Sequence, residues 1–233
     1  MIIGIGGEIG VGKSTMAEHL CLEHKFVEMS FAKNLKEMCR AAFRVSLTDV
    51  YSQEGKARLF KEPMPLLPAH LCMIDSWVKY RTPNVKVDKN GLSKGIKTFI
   101  EDKTEDPITF KNTREILQFV GTEICREMYS ENYHIDVIDA QITASVKHVV
   151  LSDARFENER AYIKSKEGFN IKIIGPAEQK DENGIKGHRS ESVGDDTGYD
   201  FVIFNNKDAI EVFHSFIDSI YGEMKESIFE KHK

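Results

Sequence analysis

The sequence is poor in the marks of a secreted, disulfide-braced or membrane-embedded chain. Its four cysteines, Cys21, Cys39, Cys72 and Cys125, are scattered with no C-x-x-C spacing. Neither a disulfide framework nor a cysteine zinc site is indicated, and reduced structural thiols are expected. The opening apolar run Met1–Ile5 is broken by glycine and then by Glu8, too short for a signal sequence and far short of a bilayer span. A cytoplasmic protein with no membrane partner is the expectation. Positive charge is not in excess either: 32 Lys and Arg face 37 Asp and Glu, a formal net charge of -5. Gripping a nucleic-acid polymer needs clustered surplus cations, whereas a small phosphorylated ligand needs only a local cationic pocket. Repeats and low-complexity stretches are absent, and 233 residues with 41% hydrophobic side chains suit one α/β domain with an inserted segment.

What is present begins at the amino terminus. Ile2–Gly6 reads as a strand, and Lys13–His24 as a helix with Ala17, Leu20 and Cys21 on one face. Between them Gly7-Glu-Ile-Gly-Val-Gly12-Lys13-Ser14 fits G-x-x-x-x-G-K-[ST], the phosphate loop, in the strand-to-helix setting that its mechanism requires. Gly7, Gly10 and Gly12 allow the backbone N–H groups around Val11 to converge on phosphate oxygens at the positive end of the helix. Lys13 is expected to reach the β- and γ-phosphates of ATP and Ser14 to hold Mg²⁺, with Thr15 either packing the helix or donating to phosphate. The guanine-reading N-K-x-D motif is missing, which weakens a GTPase reading.

Further along, Phe26–Phe31, Lys147–Ser152, Asn170–Ile174 and Asp200–Phe204 read as strands. Helices are expected at Ala32–Phe43, from Asn112 as N-cap, at Tyr133–Ser145, Glu157–Lys166 and Asp208–Tyr221. The alternation predicts a five-stranded parallel sheet flanked by helices. Only six prolines occur, and Pro63, Pro65, Pro68 and Pro83 fall together in a stretch of degraded pattern. An insertion at about 47–110, helical around Ala69–Tyr80 and turning at Asp88–Gly91, is therefore expected. Phe60, Trp77 and Tyr80 within it are read as a small core rather than a base-stacking site.

Asp153 and Arg155 follow a strand and so belong at the carboxyl edge of the sheet, where ligands bind. Asp153 there can hold a Mg²⁺-bound water, or else cap the next helix; Arg155 can fork onto phosphate. Arg114 and Arg126 share one helical segment, where a straight α-helix would set their Cα atoms about 18 Å apart. A break at Gly121-Thr122 would let Thr122 cap a second helix and swing Arg126 inward; without it, one arginine would be a solvated surface charge. Gln118 can read a base edge or bond a neighbouring helix.

These segments carry a resemblance. Ser152-Asp-Ala-Arg-Phe-Glu-Asn-Glu159 resembles the S-D-x-R-F-x-N-E segment of phage-type deoxynucleoside monophosphate kinases. Ser30–Lys36 is similar to their F-A-x-x-L-K, Arg114–Arg126 to R-x-x-L-Q-x-x-G-T-E-x-x-R, His188–Glu191 to H-x-S-E, and Asp200–Asn206 to D-x-V-I-x-N. The resemblance spans both ends and skips Leu47–Pro107. It implies the P-loop kinase fold, transfer of the ATP γ-phosphoryl to a dNMP with Mg²⁺ as cofactor, and a cationic shell of Lys36, Arg114, Arg126 and Arg155. Gln118 joins it as a substrate contact, while Lys13, Asp153, Arg155 and Arg126 carry catalysis. A lid-like loop at about 176–196 carrying Arg189, host cytoplasm if the chain is viral, and a homodimer are further implications. Dephospho-coenzyme A and animal-type phosphomevalonate kinases share parts of the pattern, and a non-catalytic ATP-binding module is the alternative outside enzymes.

Overall fold

The computed structural model describes residues 1–82, 85, 107–142, 148–176, 197–207 and 209–231. The expected turn at Asp88–Gly91 and residues 177–196, with nearly all of the lid-like loop including His188, Arg189, Ser190 and Glu191, lie outside the described residues. Two compact units emerge, one from Met1–Ser30, Ile142–Lys180 and Val193–Lys233, the other chiefly from Phe31–Gln141. Among the described residues no helix is long and apolar enough to cross a membrane.

The first unit is built on a five-stranded sheet. Its strands are β1 (Ile2–Gly6), β2 (Val27–Met29), β5 (Val149–Leu151), β6 (Phe169–Ile174) and β7 (Phe201–Phe204), in the order β2-β5-β1-β6-β7. Every neighbouring pair is parallel. The chain leaves central β1 for outer β2, returns beside β1 as β5, then crosses to β6 on the other side. The winding direction therefore reverses at β1, which opens a crevice at its carboxyl end. This is the expected P-loop kinase architecture, a parallel sheet flanked by helices.

Burial on both faces explains the β1 sequence, because a central parallel strand has no solvent side on which to place polar residues. Ile3 and Ile5 join Met16, Ala17 and Leu20 of α1 (Lys13–His24) in one core, closed by Phe213 and Ile217 of the carboxyl-terminal helix Ile210–Lys231. Each fully buried isoleucine contributes about 1.5–3 kcal/mol at most. On the opposite face Gly4 lies against Ile163 of the helix Glu157–Ser165 and against Asn170 of β6. Asn170 is fully buried, and its amide donates to the Arg160 carbonyl at 3.1 Å.

The second unit is mostly helical. Its elements are α2 (Ala32–Phe43), α3 (Leu47–Tyr51), α4 (Gln53–Ala57), β3 (Leu59–Pro65), α5 (Pro68–Arg81), β4 (Thr109–Asn112), α6 (Thr113–Phe119), a π-helix (Val120–Tyr129) and α7 (Tyr133–Ile142). The helix expected around Ala69–Tyr80 is α5, which Pro68 opens because its missing N–H costs nothing in a first turn. Asn112 caps α6 as expected, its side chain accepting from the Glu115 N–H at 3.0 Å. Sequence pattern did not reveal α3, α4 or the antiparallel pair β3–β4. The two helices are five residues each, too short for periodicity, and Ser46 and Ser52 cap them. Phe60 and Trp77 pack against the core of this unit, as read from sequence, whereas Tyr80 is 81% exposed.

The remaining differences lie at helix ends. The carboxyl-terminal helix, continuing from β7 to become α9 once Glu157–Ser165 is numbered α8, runs to Lys231 rather than stopping near Tyr221. Met224, fully buried, extends its apolar stripe beyond the expected end.

Candidate active site

The loop from Gly7 to Gly12 links the carboxyl end of β1 to the amino end of α1. Gly7 and Gly12 have φ of 136° and 103°, a region closed to residues with a Cβ. A Cβ on Gly7 would also lie 2.4 Å from the Ile173 carbonyl oxygen. Gly12 is the N-cap of α1 and supplies no side-chain acceptor, and the first turn holds no acidic residue. The leading N–H groups of α1 are thus not closed by a capping side chain, the arrangement that suits an anion. Val11 anchors the loop from below: its side chain is buried in the sheet core, and its carbonyl accepts from the Asn205 amide at 2.9 Å.

Lys13 turns back over this loop. Its ammonium donates to the Gly7 carbonyl at 2.9 Å and also to the Glu8 carbonyl. Burial, and then the Arg155 guanidinium, lower its pKa to about 8, against the opposing pull of Asp153 and Glu8. Lys13, Asp153 and Arg155 therefore share one electrostatic neighbourhood at the sheet's carboxyl edge. Ser14 is exposed and Thr15 half-buried in the first turn of α1.

Asp153 and Arg155 occupy the turn after β5. Asp153 is half-buried, and the Ser30 hydroxyl donates to its Oδ2 at 2.6 Å. Below it, the Ser152 hydroxyl donates to Glu28 at 2.5 Å, which ties the ends of β2 and β5 together. Glu159 closes the start of α8: its carboxylate accepts from the N–H groups of Arg155 and Phe156 at 2.8 and 3.0 Å. The Arg155 side chain is left exposed at the corner. Ser14 hydroxyl and Asp153 carboxylate are hard oxygen donors beside a phosphate loop, the donor chemistry that Mg²⁺ selects.

Lys36, Arg114, Gln118 and Arg126 belong to the second unit. Lys36 lies over the Tyr51 ring, 4.9 Å from its centroid. Arg114 is 8% exposed and donates to the Gln53 side chain at 3.3 Å; Arg126 is 6% exposed and donates to the Glu131 carbonyl at 3.0 Å. Gln118 is buried on the same segment. Neither arginine is a solvated surface charge, which sets that alternative aside.

A break at Gly121-Thr122, the other alternative, is not found either. The helix is not interrupted there; its winding changes from α to π at Val120, and Thr122 lies buried inside the π segment rather than capping a new helix. Twelve α steps would leave Arg126 about a third of a turn out of phase with Arg114. Wider π winding, roughly 80° per residue from Val120 onward, brings both arginines to nearly the same face. Leu35 of α2 lies against Gly121, and His134 of α7 donates from Nε2 to the Gly121 carbonyl at 3.2 Å. Packing from both neighbours thus meets the segment at its one glycine.

Several supporting residues were missed from sequence. Asn205 and Glu159 lie inside recognised segments, yet only geometry shows them bracing the phosphate loop and the Asp153–Arg155 corner. Tyr199 presses on Gly6, where a Cβ would lie 2.3 Å from its hydroxyl, and the Arg160 guanidinium sits 4.9 Å from its ring centroid. Arg160, 3% exposed, donates to the Arg155 carbonyl at 3.0 Å and so holds the corner from behind. A Gly-Tyr pair before the last strand was the available signal, but it has no spacing rule.

No family model matches the sequence. The chain is similar to a protein of Acanthamoeba polyphaga mimivirus assigned as a deoxynucleotide monophosphate kinase, at 28% identity over 94% of this chain and 95% of that protein. It is also similar to the deoxynucleoside-5'-monophosphate kinase of Escherichia phage T5, at 24% identity over 77% of this chain and 80% of the phage protein.

Proposed function

We propose that this chain is a phage-type deoxynucleoside monophosphate kinase, transferring the γ-phosphoryl of ATP to the 5'-phosphate of a dNMP. The observation that carries the reading is the Lys13–Asp153–Arg155 neighbourhood beside a strained glycine loop. The similarity to two viral kinases, nearly end to end in one case, supports it.

Phosphoryl transfer asks little covalent chemistry of a protein, so catalysis reduces to positioning and charge neutralisation. The N–H groups from Gly7 to Thr15 would receive the β- and γ-phosphates, and Lys13 would exchange its two loop carbonyls for phosphate oxygens. Arg155 would fork onto the transferring group. Mg²⁺, held by Ser14 directly and by Asp153 through water, would neutralise phosphate charge. Ser30 fixes the Asp153 carboxylate for that task. An acceptor that is already a phosphate needs no strong general base.

Arg114 and Arg126, in phase on one buried segment, suit an acceptor monophosphate, with Lys36 adding charge and Gln118 reading the base. Residues 1–233 would act as one P-loop kinase domain, with about 47–110 contributing to acceptor binding and about 176–196 as its lid.

The test is an ADP-release assay with each dNMP in turn, with dephospho-coenzyme A and phosphomevalonate as further acceptors. Turnover with at least one dNMP and none with the other two is expected. Turnover restricted to either of those would replace the acceptor, and ATP binding without release of ADP for any acceptor would leave a non-catalytic module.

A further inference from the structure

Away from the phosphate loop, the far end of α1 meets α9 through an array of histidines. His19 Nε2 lies 2.8 Å and His24 Nε2 2.7 Å from the same oxygen, Asp218 Oδ1. The three ligand atoms all fall within 4.8 Å of one another. Each imidazole is fixed by a second ring: His214 stacks on His19 with centroids 4.1 Å apart, and Tyr221 lies 4.0 Å from His24. His214, Asp218 and Tyr221 recur every three or four residues on α9 and so line one face. Burial grades outward, with side-chain exposures of 9% for His19, 20% for His24 and 49% for Asp218.

We propose that His19, His24 and Asp218 bind one divalent transition-metal ion of the zinc class, clamping α1 to α9. Two imidazoles and a carboxylate are donors that zinc, cobalt and nickel accept readily. Metal bonds of about 2.0–2.2 Å at tetrahedral angles set donor atoms about 3.3 Å apart, so the two N–O distances must open by only about half an ångström. On binding, each imidazole must offer the Nε2 lone pair, so a proton held on Nε2 toward Asp218 moves to Nδ1 or leaves. The carboxylate coordinates as it stands. Exposure on the Asp218 side leaves room for water in the fourth position. Ring stacking fixes both imidazoles before the metal arrives, which reduces the entropy lost on ligation.

The ion would bridge the helix that carries Lys13 and Ser14 to the helix that closes the sheet core, independently of which acceptor the enzyme uses. The test uses the full-length chain without nucleotide. Zn²⁺ is followed by calorimetry, Co²⁺ by visible absorption, and thermal unfolding is compared with and without Zn²⁺. One equivalent of metal, tetrahedral cobalt bands and a zinc-dependent rise in Tm are expected. At least tenfold weaker zinc binding is expected in both His24→Ala and Asp218→Asn, with Ser14→Ala unchanged. His24→Gln, on a partly exposed side chain, guards against misfolding of the alanine variant. Failure of the wild type to bind, wild-type affinity in His24→Ala and His24→Gln, or a thiolate-to-cobalt charge-transfer band marking a cysteine ligand would each overturn the proposal.

Discussion

The two units present their candidate binding groups by different means. In the first, the proposed phosphate contacts would come from backbone shape: positive-φ glycines, the uncapped start of α1 and a strand-end turn. In the second, the charged candidates are long side chains held in helices, Arg114 and Arg126 buried and Lys36 half-buried. Backbone recognition is written locally, in a few consecutive residues, whereas side-chain recognition depends on helix phase and on packing from distant segments. Variants should therefore fail differently in the two units, and the contrast can be pressed.

The largest effect is expected from Lys13→Ala. It should lower kcat by about 10³-fold or more, because the proposed role of the lost ammonium is to neutralise the transferring charge. Its Tm should not fall, since the wild-type cation is desolvated and sits near Arg155. A large drop in Tm would show that the lysine is structural and would blur the contrast.

Next, Arg126→Lys keeps the charge but loses the planar fork. A rise of about 10–100-fold in the dNMP KM is expected, with the KM for ATP within about twofold of wild type. Equal rises in both would mean that the second unit does not serve the acceptor selectively.

Asn205→Ala removes the amide that holds the Val11 carbonyl. A loss of about 1 kcal/mol in unfolding free energy is expected, with an ATP KM a few-fold higher and the dNMP KM unchanged. An unchanged ATP KM would show that the loop holds its shape without this brace.

The smallest signal is a proton. With the Lys13 pKa lowered to about 8 in the free protein, phosphate contact should raise it again, so ATP binding takes up a proton at alkaline pH. Calorimetry in buffers of differing ionisation enthalpy should give about 0.7 protons at pH 8.5 and close to none at pH 6.5. Stability carries the same sign. An unfolded lysine titrates near 10.5 and binds more protons than the folded one between about pH 8 and 10.5, so Lys13 adds stability as pH rises through that window.

The contrast also explains what could be read beforehand. The loop Gly7–Ser14, the sheet and the Asp153–Arg155 corner were legible because each is a short pattern with a fixed mechanical meaning. Lys13's contacts with the Gly7 and Glu8 carbonyls were not, since the motif specifies a bound partner and not what the lysine does without one. In the second unit Asn112 as N-cap and the α5 helix were legible from local chemistry. The winding change at Val120 was not, because Ile116, Val120 and Ile124 fit an α stripe equally well; the choice is made where Leu35 and His134 meet Gly121. Histidines 19, 24 and 214 drew no notice in sequence, as 195 residues separate His19 from His214.

That winding gives the chain a sensitivity to length as well as to residue type. Losing one residue between Val120 and Arg126 would be absorbed by a return to α winding, because eleven α steps bring Arg126 within about 20° of Arg114, whereas losing two would turn it about 80° away without changing a single side chain. Among relatives, a one-residue gap at this place would be compatible with the same pairing of arginines, and a two-residue gap would not. The segment works as a ratchet whose setting is counted in residues.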